Sequence, residues 1–405
     1  MTQLVSAAVQ PGRPSARRIF HRGTAKAGHY VNISVVERAF PNRCRASLNV
    51  RGAASSSAQI RRRRDVDRCA QKLEHDYEHP ADLGGDVGRT GSGGRFVRAA
   101  GGRVTAPPLP EGVGLTALTT AYARAQESRR AAPLFTDPLA ALFVTEAAGK
   151  PGMAGAPLPP LGLARDHGAS PLWDSIYSHV TGRTPFYDSF VSGAVASGCR
   201  QVVLLGAGLD VRAFRLPLDP GTTVYEVDTP AVLEFKAGVL ARHPAKPGVR
   251  RVPVEADLRD DWPGALQAAG FDRNKSAAWL AEGLLFYLAA AEADVLLSEI
   301  TAQSAPGSLL AGEYMNRHIR MDDVPLGDDG EAAVAEFFVN AVRGGPHTEP
   351  ELWLSAHGWL GQQRGFVDEL TALGRHVPAL FDPRKPDPLR LWLFSAIRVR
   401  SDLRC

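Results

Sequence analysis

Residues Gln201 to Asp228 read QVVLLGAGLDVRAFRLPLDPGTTVYEVD. An apolar run at 202–205 delivers the turn Gly206-Ala207-Gly208, and a second apolar run at 223–227 ends in Asp228, twenty residues after Gly208. Strand, glycine turn, crossover and parallel strand in that order describe a nucleotide pocket. Glycine has no Cβ to hold a ligand off the backbone, and a carboxylate at the end of the second strand can accept both hydroxyls of a ribose. Three readings compete: a dinucleotide site, an S-adenosylmethionine site, and a purely structural strand-to-helix connection. A dinucleotide fingerprint needs a third glycine three residues past the second, for close helix packing beside the pyrophosphate. Val211 stands at that position. A sulfonium cofactor carries no pyrophosphate and makes no such demand.

Outward from this stretch the pattern alternates. Apolar runs recur at 252–255, 277–281 and 309–312, with helical periodicity between them at about 230–242, 262–269 and 290–304. Strands alternating with helices imply right-handed βαβ crossovers and a doubly wound α/β sheet. A last apolar run at 391–397 follows a Pro-rich segment at 383–388 and suits an antiparallel final strand. Upstream, helical patterns at 115–130, 139–148 and 173–198 form a cover for the sheet, interrupted by a Gly-, Pro- and Ala-rich loop at 149–170.

Charge divides the 405 residues unevenly. Residues 1–110 carry 19 Lys+Arg against 8 Asp+Glu, whereas the remainder carries 28 against 35. The first segment holds the run Arg61-Arg62-Arg63-Arg64, a small-residue run at 53–58 and the glycine-rich stretch at 90–94, with little apolar periodicity. Such a composition buries too little apolar surface to offset chain entropy, so residues 1–110 are expected to be mostly disordered, upstream of one body at 111–405 long enough for a substantial core. A tail for nucleic acid or another anionic surface, a targeting peptide, and a bland extension, either unstructured or a mis-assigned start, are the competing accounts of the arm. The bland extension is preferred, because no aromatic interleaving accompanies the arginines and no apolar core follows the basic start. Cys44, Cys69, Cys199 and Cys405 share no Cys-x-x-Cys spacing, so neither a disulfide framework nor a metal site is expected, and a cytoplasmic location fits. No apolar run reaches the eighteen or so residues of a membrane span.

Ligands of doubly wound sheets bind outside the carboxyl ends of the strands. Two further strand ends carry acids there, Asp257-Leu258 and Glu282-Gly283. Asp257 is placed to accept from an adenine amino group while the Leu258 backbone meets the ring edge. A solvated cap is the alternative for Asp257, and a backbone-bonded strand-end acid for Glu282.

Together these residues resemble the class I S-adenosylmethionine-dependent methyltransferases related to leucine carboxyl methyltransferase, and in particular a bacterial subgroup of them. The resemblance rests on Gly114-Leu115-Thr116-Ala117, Ala123-Arg124-Ala125 with Glu127, Phe135-Thr136-Asp137-Pro138, Arg183-Thr184, Gly206-Ala207-Gly208-Leu209-Asp210, Tyr225-Glu226-Val227-Asp228, Asp257-Leu258-Arg259-Asp260-Asp261-Trp262-Pro263 and Trp279-Leu280-Ala281-Glu282-Gly283. It covers about residues 111 to 400, with a helical cover at 111–198 and a Rossmann-like sheet at 199–400. It implies S-adenosyl-L-methionine as cofactor, with Gly206 and Gly208 lining it, Asp228 on its ribose or methionine end, Asp257 and Leu258 on its adenine side, Arg183 on its carboxylate and Glu282 at the pocket border. Arg124 is the weaker candidate for the carboxylate. The subgroup commonly has threonine where this chain has Val211.

The activity implied is methyl transfer, with O-methylation of a carboxylate or hydroxyl on a small molecule as the leading reading. A protein carboxylate is a second acceptor class; membrane and nucleic-acid partners are not expected. A nicotinamide-dependent oxidoreductase and a non-enzymatic nucleotide or nucleic-acid binder are the alternatives. No catalytic residue is assigned: Glu282, Tyr287, His318 and His347 are candidate bases that the sequence does not rank. Trp173, Tyr177, Phe186, Phe337 and Phe338 are candidate acceptor contacts, with core packing as their alternative.

Overall fold

The computed structural model describes residues 32–37, 44–49, 114–148, 170–243, 245–327 and 331–399. The chain divides into two units, 1–71 and 72–405. In the first, the described residues are two strands, β1 (Asn32–Glu37) and β2 (Cys44–Asn49), paired antiparallel. Composition gave no hint of this pair. The rest of the basic arm, with its Arg61–Arg64 run, lies outside the described residues, as does nearly all of the loop expected at 149–170.

The second unit follows the expected alternation. Three helices come first, α1 (Gly114–Glu127), α2 (Ala140–Ala148) and α3 (Pro171–Ala196). Then come β3 (Gln201–Leu205), the short α4 (Arg212–Arg215), β4 (Thr223–Asp228), α5 (Pro230–Arg242), β5 (Arg250–Glu255), α6 (Trp262–Ala268), β6 (Ala277–Ala281), α7 (Ala290–Ala302) and β7 (Leu309–Met315). The chain ends through α8 (Ala332–Ala341), α9 (Pro350–Ala356), β8 (Trp359–Gly365), α10 (Phe366–Ala372) and β9 (Leu391–Arg398).

One seven-stranded sheet has the order β5-β4-β3-β6-β7-β9-β8. β3, β4, β5, β6 and β7 are mutually parallel, while β9 runs antiparallel to both its neighbours, as the last apolar run suggested. The winding reverses at β3, which lies between β4 and β6. Every side chain of β3 and of β6 is buried, the signature of strands covered on both faces. β8 was not foreseen: at the sheet edge its residues alternate between burial and exposure, and Gln362, Gln363 and Arg364 hide its period.

Register brings the chemistry into one line. Leu205 pairs with Val227, Asp228 with Glu255, and Leu204 with Leu280, so Gly206, Asp228, Ala256 and Glu282 follow one another along the carboxyl edge of the sheet. α3 crosses beneath that edge. It starts cleanly: the Ser170 hydroxyl accepts the Trp173 N–H at 3.1 Å and Pro171 occupies the first turn, where its missing N–H costs nothing.

Candidate active site

Gly206 and Gly208 both adopt left-handed backbone, with φ of +62° and +51°, which is why glycine is needed at these two positions. Between them the Ala207 N–H donates to the Val227 carbonyl at 3.0 Å, pinning the turn to β4. Asp228 braces it from the other side: its Oδ2 accepts the Gly208 N–H at 2.6 Å, and its Oδ1 accepts the Thr229 N–H at 2.7 Å. Burial holds the Asp228 carboxyl above the ordinary aspartate range, against the pull of these two N–H groups and of Lys236.

The turn opens onto a cavity of about 430 Å³. All seven residues singled out as cofactor contacts, Arg183, Gly206, Gly208, Asp228, Asp257, Leu258 and Glu282, line it, and so does Arg124. Their environments differ, however.

Arg183 is already engaged. Its Nε donates to Glu282 at 3.1 Å, and its Nη1 donates to Glu313 at 2.5 Å and meets His179 Nε2 at 3.0 Å. Although burial works against its charge, Glu313 and Glu282 hold the guanidinium above its usual pKa. Arg124 presents the opposite case: its Nε donates to Asp137 at 2.8 Å, while its Nη2 is buried with no partner. A buried donor left unmade costs about 1–3 kcal/mol, so the cavity here holds a place for an acceptor.

Glu282 is pinned between cations, with Arg183 on one oxygen and Arg212 Nη1 at 2.7 Å from the other. A carboxylate so held serves as an ion-pair strut rather than as a base. Asp257 turns toward Arg259, whose side chain draws the carboxyl down to about 2, and both reach solvent. The cap-like alternative thus describes Asp257 as it stands, although the residue still borders the cavity.

Among the other base candidates, Tyr287 lines the cavity, and burial raises its phenol above the usual value, so it stays protonated at neutral pH. His318 and His347 do not line the cavity; both are exposed and stack on each other with ring centroids 5.4 Å apart. Trp173, Tyr177 and Phe186 are core residues, Phe337 is exposed, and Phe338 alone of the five aromatics faces the cavity.

Sequence reasoning missed His179 and Glu313. Both carry a readable signal only in retrospect: His179 precedes Arg183 by one helical turn, on the same face of α3, and Glu313 interrupts an otherwise apolar strand. Glu313 is fully buried, accepts the Gly283 N–H at 3.0 Å, and lies 3.4 Å from His179 Nε2. Despite the cost of burial, Arg183 and His179 keep its carboxyl below the usual range. Beyond His179 the cavity wall is apolar, with Leu172, Ile176, Phe286, Ile319, Phe338 and Phe381.

A family model described as leucine carboxyl methyltransferase matches residues 117–301. A protein of Rhodococcus jostii (strain RHA1), provisionally named an S-adenosyl-L-methionine-dependent methyltransferase, is 44% identical over 277 residues, 66% of this chain and 90% of its own. This chain belongs to that methyltransferase family. A protein of the same designation from Mycobacterium tuberculosis (strain ATCC 25177 / H37Ra) is 41% identical over 278 residues, covering 67% of this chain and 87% of its own. Among solved structures, a provisionally named methyltransferase from Thermobifida fusca aligns over 69% of this chain and 94% of its own, at 17% identity and a TM-score of 0.39.

The methyltransferase's residues fit S-adenosyl-L-methionine. A cavity of this size suits a ligand of that class, both turn glycines line it, and Arg124 beside it has a buried Nη2 without a partner. The dinucleotide reading is set aside, since Val211 is wholly buried where a third glycine would stand. Residues 117–301 hold the glycine turn and the three acids, whereas Met315, Ile319, Val324, Phe338 and Phe381 of the apolar wall lie past the matched span. No helix among the described residues is long and apolar enough to cross a membrane.

Proposed function

We propose that this methyltransferase moves the cofactor's methyl group to an oxygen, a carboxylate or a hydroxyl, of a small apolar molecule. The observation that carries this reading is the continuity of one cavity from the polar glycine turn at Gly206 to the apolar wall at Ile176, Phe286 and Phe338. S-adenosyl-L-methionine, when bound, supplies a methyl group already activated on a sulfonium. The protein's work is then alignment and the exclusion of water.

Asp228 is assigned the ribose hydroxyls, Gly206 and Gly208 the open floor of the site, Asp257 and Leu258 the adenine side, and Arg124 the amino-acid carboxylate. A planar guanidinium with one free nitrogen supports the last assignment, because it meets a carboxylate with charge-assisted hydrogen bonds. Arg183 and Glu282 border the site as mutual partners. A carboxylate acceptor needs no base, and Glu282 on the cavity wall and the buried Glu313 behind it are both held by arginines.

Two measurements test the proposal. Calorimetric titration with S-adenosylhomocysteine should show one site per chain. Incubation of the protein with a methyl-labelled donor and a metabolite extract should place the label on oxygen; label found only on nitrogen, carbon or sulfur would refute the O-methyl reading while leaving the cofactor site intact.

A further inference from the structure

Among the polar side chains that line the cavity, His179 sits at the start of the apolar wall. Its ring is wedged between Phe286, Phe366 and Phe381, with centroids at 5.7, 5.7 and 6.2 Å, so its orientation is fixed by packing. Nε2 faces inward, 3.0 Å from Arg183 Nη1 and 3.4 Å from Glu313. An arginine can only donate, so the 3.0 Å contact favours Nε2 as acceptor with the ring proton on Nδ1, over the tautomer in which Nε2–H donates to Glu313 at 3.4 Å. Glu313 Oε1 is meanwhile filled by Arg183 and by the Gly283 N–H. Burial, then the neighbouring Arg183 charge, pushes the imidazole below its usual pKa and keeps it neutral, against the opposing pull of Glu313 and Glu282. Nδ1 has no hydrogen-bond partner among the described residues and is not among the buried orphaned atoms, while the side chain is 14% exposed and lines the cavity. The Nδ1–H therefore opens onto the acceptor side.

We infer that His179 is a fixed hydrogen-bond donor that holds the acceptor's oxygen, with Arg183 and Glu313 as positioning residues that set its tautomer. The inference rests on the O-methyl reading above and deepens it. Donor and proton acceptor are opposite roles for the same ring: a base at this position would need the proton on Nε2 and a lone pair on Nδ1. In the transfer to a carboxylate, the acceptor class for which no proton has to leave, one lone pair of the held oxygen forms the bond to the methyl carbon, the carbon–sulfur bond breaks, and its electron pair stays on sulfur. The hydrogen bond from His179 engages a different lone pair. His179 takes up no proton.

The decisive experiment uses full-length protein labelled with nitrogen-15 in its histidines and saturated with S-adenosylhomocysteine. Two-bond proton–nitrogen correlation spectra at pH 7.5, with His179→Asn assigning the signal by its disappearance, report the tautomer directly. A neutral ring protonated at Nδ1 is expected; a ring protonated at Nε2, or an imidazolium, would overturn the inference whatever the acceptor proves to be. The second readout is kcat/KM for the product found with the labelled donor. His179→Phe should lose about 10- to 100-fold, the worth of one hydrogen bond to a charged or strongly polar oxygen, while His179→Asn, which keeps a donor near the place of Nδ1, should recover most of it. Equal loss in both variants would mark His179 as a proton acceptor and defeat the proposal. Labelling on a non-oxygen atom would count against the proposed reaction alone, since the tautomer is measured without an acceptor.

Discussion

Asp228→Asn tests the cofactor site most directly. The carboxylate already accepts the Gly208 N–H at 2.6 Å on Oδ2 and the Thr229 N–H at 2.7 Å on Oδ1, where the Thr229 hydroxyl also lies at 3.4 Å, so Oδ2 retains a lone pair for a ribose hydroxyl and Oδ1 gains one if that hydroxyl turns away. Asparagine keeps one oxygen and replaces the other with a donor, so one backbone N–H and one hydroxyl lose their acceptor. A hydrogen bond to an ionised group is worth about 1.5–3 kcal/mol, which predicts a roughly 10- to 150-fold weaker complex with S-adenosylhomocysteine. The unfilled backbone N–H costs about 1–3 kcal/mol of stability, so the variant should melt a few degrees lower and still fold. Isothermal titration calorimetry on the folded variant reads the first number, and a thermal scan reads the second. Protonation gives an independent check: burial raises the Asp228 carboxyl, so wild-type affinity should begin to fall at a pH above the ordinary aspartate range as the acceptor is neutralised, and the variant should lack that component. Affinity within twofold of wild type would refute the ribose assignment, however well the glycine turn fits.

Other expectations follow from single contacts. Arg124→Met should abolish the preference for S-adenosylhomocysteine over 5′-methylthioadenosine, which lacks the amino-acid carboxylate, while leaving affinity for the latter near wild type. Gly283→Ala should lower the melting temperature and disturb Arg183, because φ is +68°, where a Cβ costs about 1–2 kcal/mol, and the added Cβ would sit 3.0 Å from Arg183 Nη2. His179, kept neutral in the fold by burial and Arg183 despite Glu313 and Glu282, binds its proton less readily there than the usual value of about 6.5 allows; stability should therefore fall as pH drops through that value toward the folded one, and His179→Phe should flatten that slope in urea titrations. Removal of residues 1–71 should leave affinity for S-adenosylhomocysteine unchanged, since the cavity is lined by residues between Thr116 and Phe381.

The sheet was legible because its strands are buried on both faces. QVVLL and AAWLA leave little room for another reading, and the glycine turn with Asp228 fixes where the winding reverses. β8 escaped because an edge strand exposes half its residues, and α8, α9 and α10 because each is short and lies in a segment without a strand to bracket it. Within the site, residues at strand ends were found by position along the sheet edge. Residues of α3 and β7 were not, since their role depends on which helix crosses beneath which strand. Arg183 is the instructive case: it lines the cavity, yet its Nε and Nη1 are taken by Glu282 and Glu313, which stand 99 and 130 residues away in the chain.

That pairing explains why so many charges sit under an apolar chamber. Arg212, also fully buried, joins Glu282 at 2.7 Å and Asp188 at 2.8 Å and pairs with Asp210, while Asp188 also holds Arg215 at 2.5 Å. The chain of charges therefore runs from α4, behind the glycine turn, through Glu282 to Arg183, Glu313 and His179. Replacing one member leaves its neighbour charged and unpaired, at a cost of about 3–5 kcal/mol, whereas an apolar core of equal volume would be at least as stable. Stability alone is therefore a poor reason for it. What the network does provide is order: the strand end carrying Glu282, the turn at Gly283 and the ring of His179 are tied to the same guanidinium, so cofactor edge and acceptor wall are held in one frame. An in-line displacement asks for that constraint, because methyl donor and acceptor must be aligned within a fraction of an ångström.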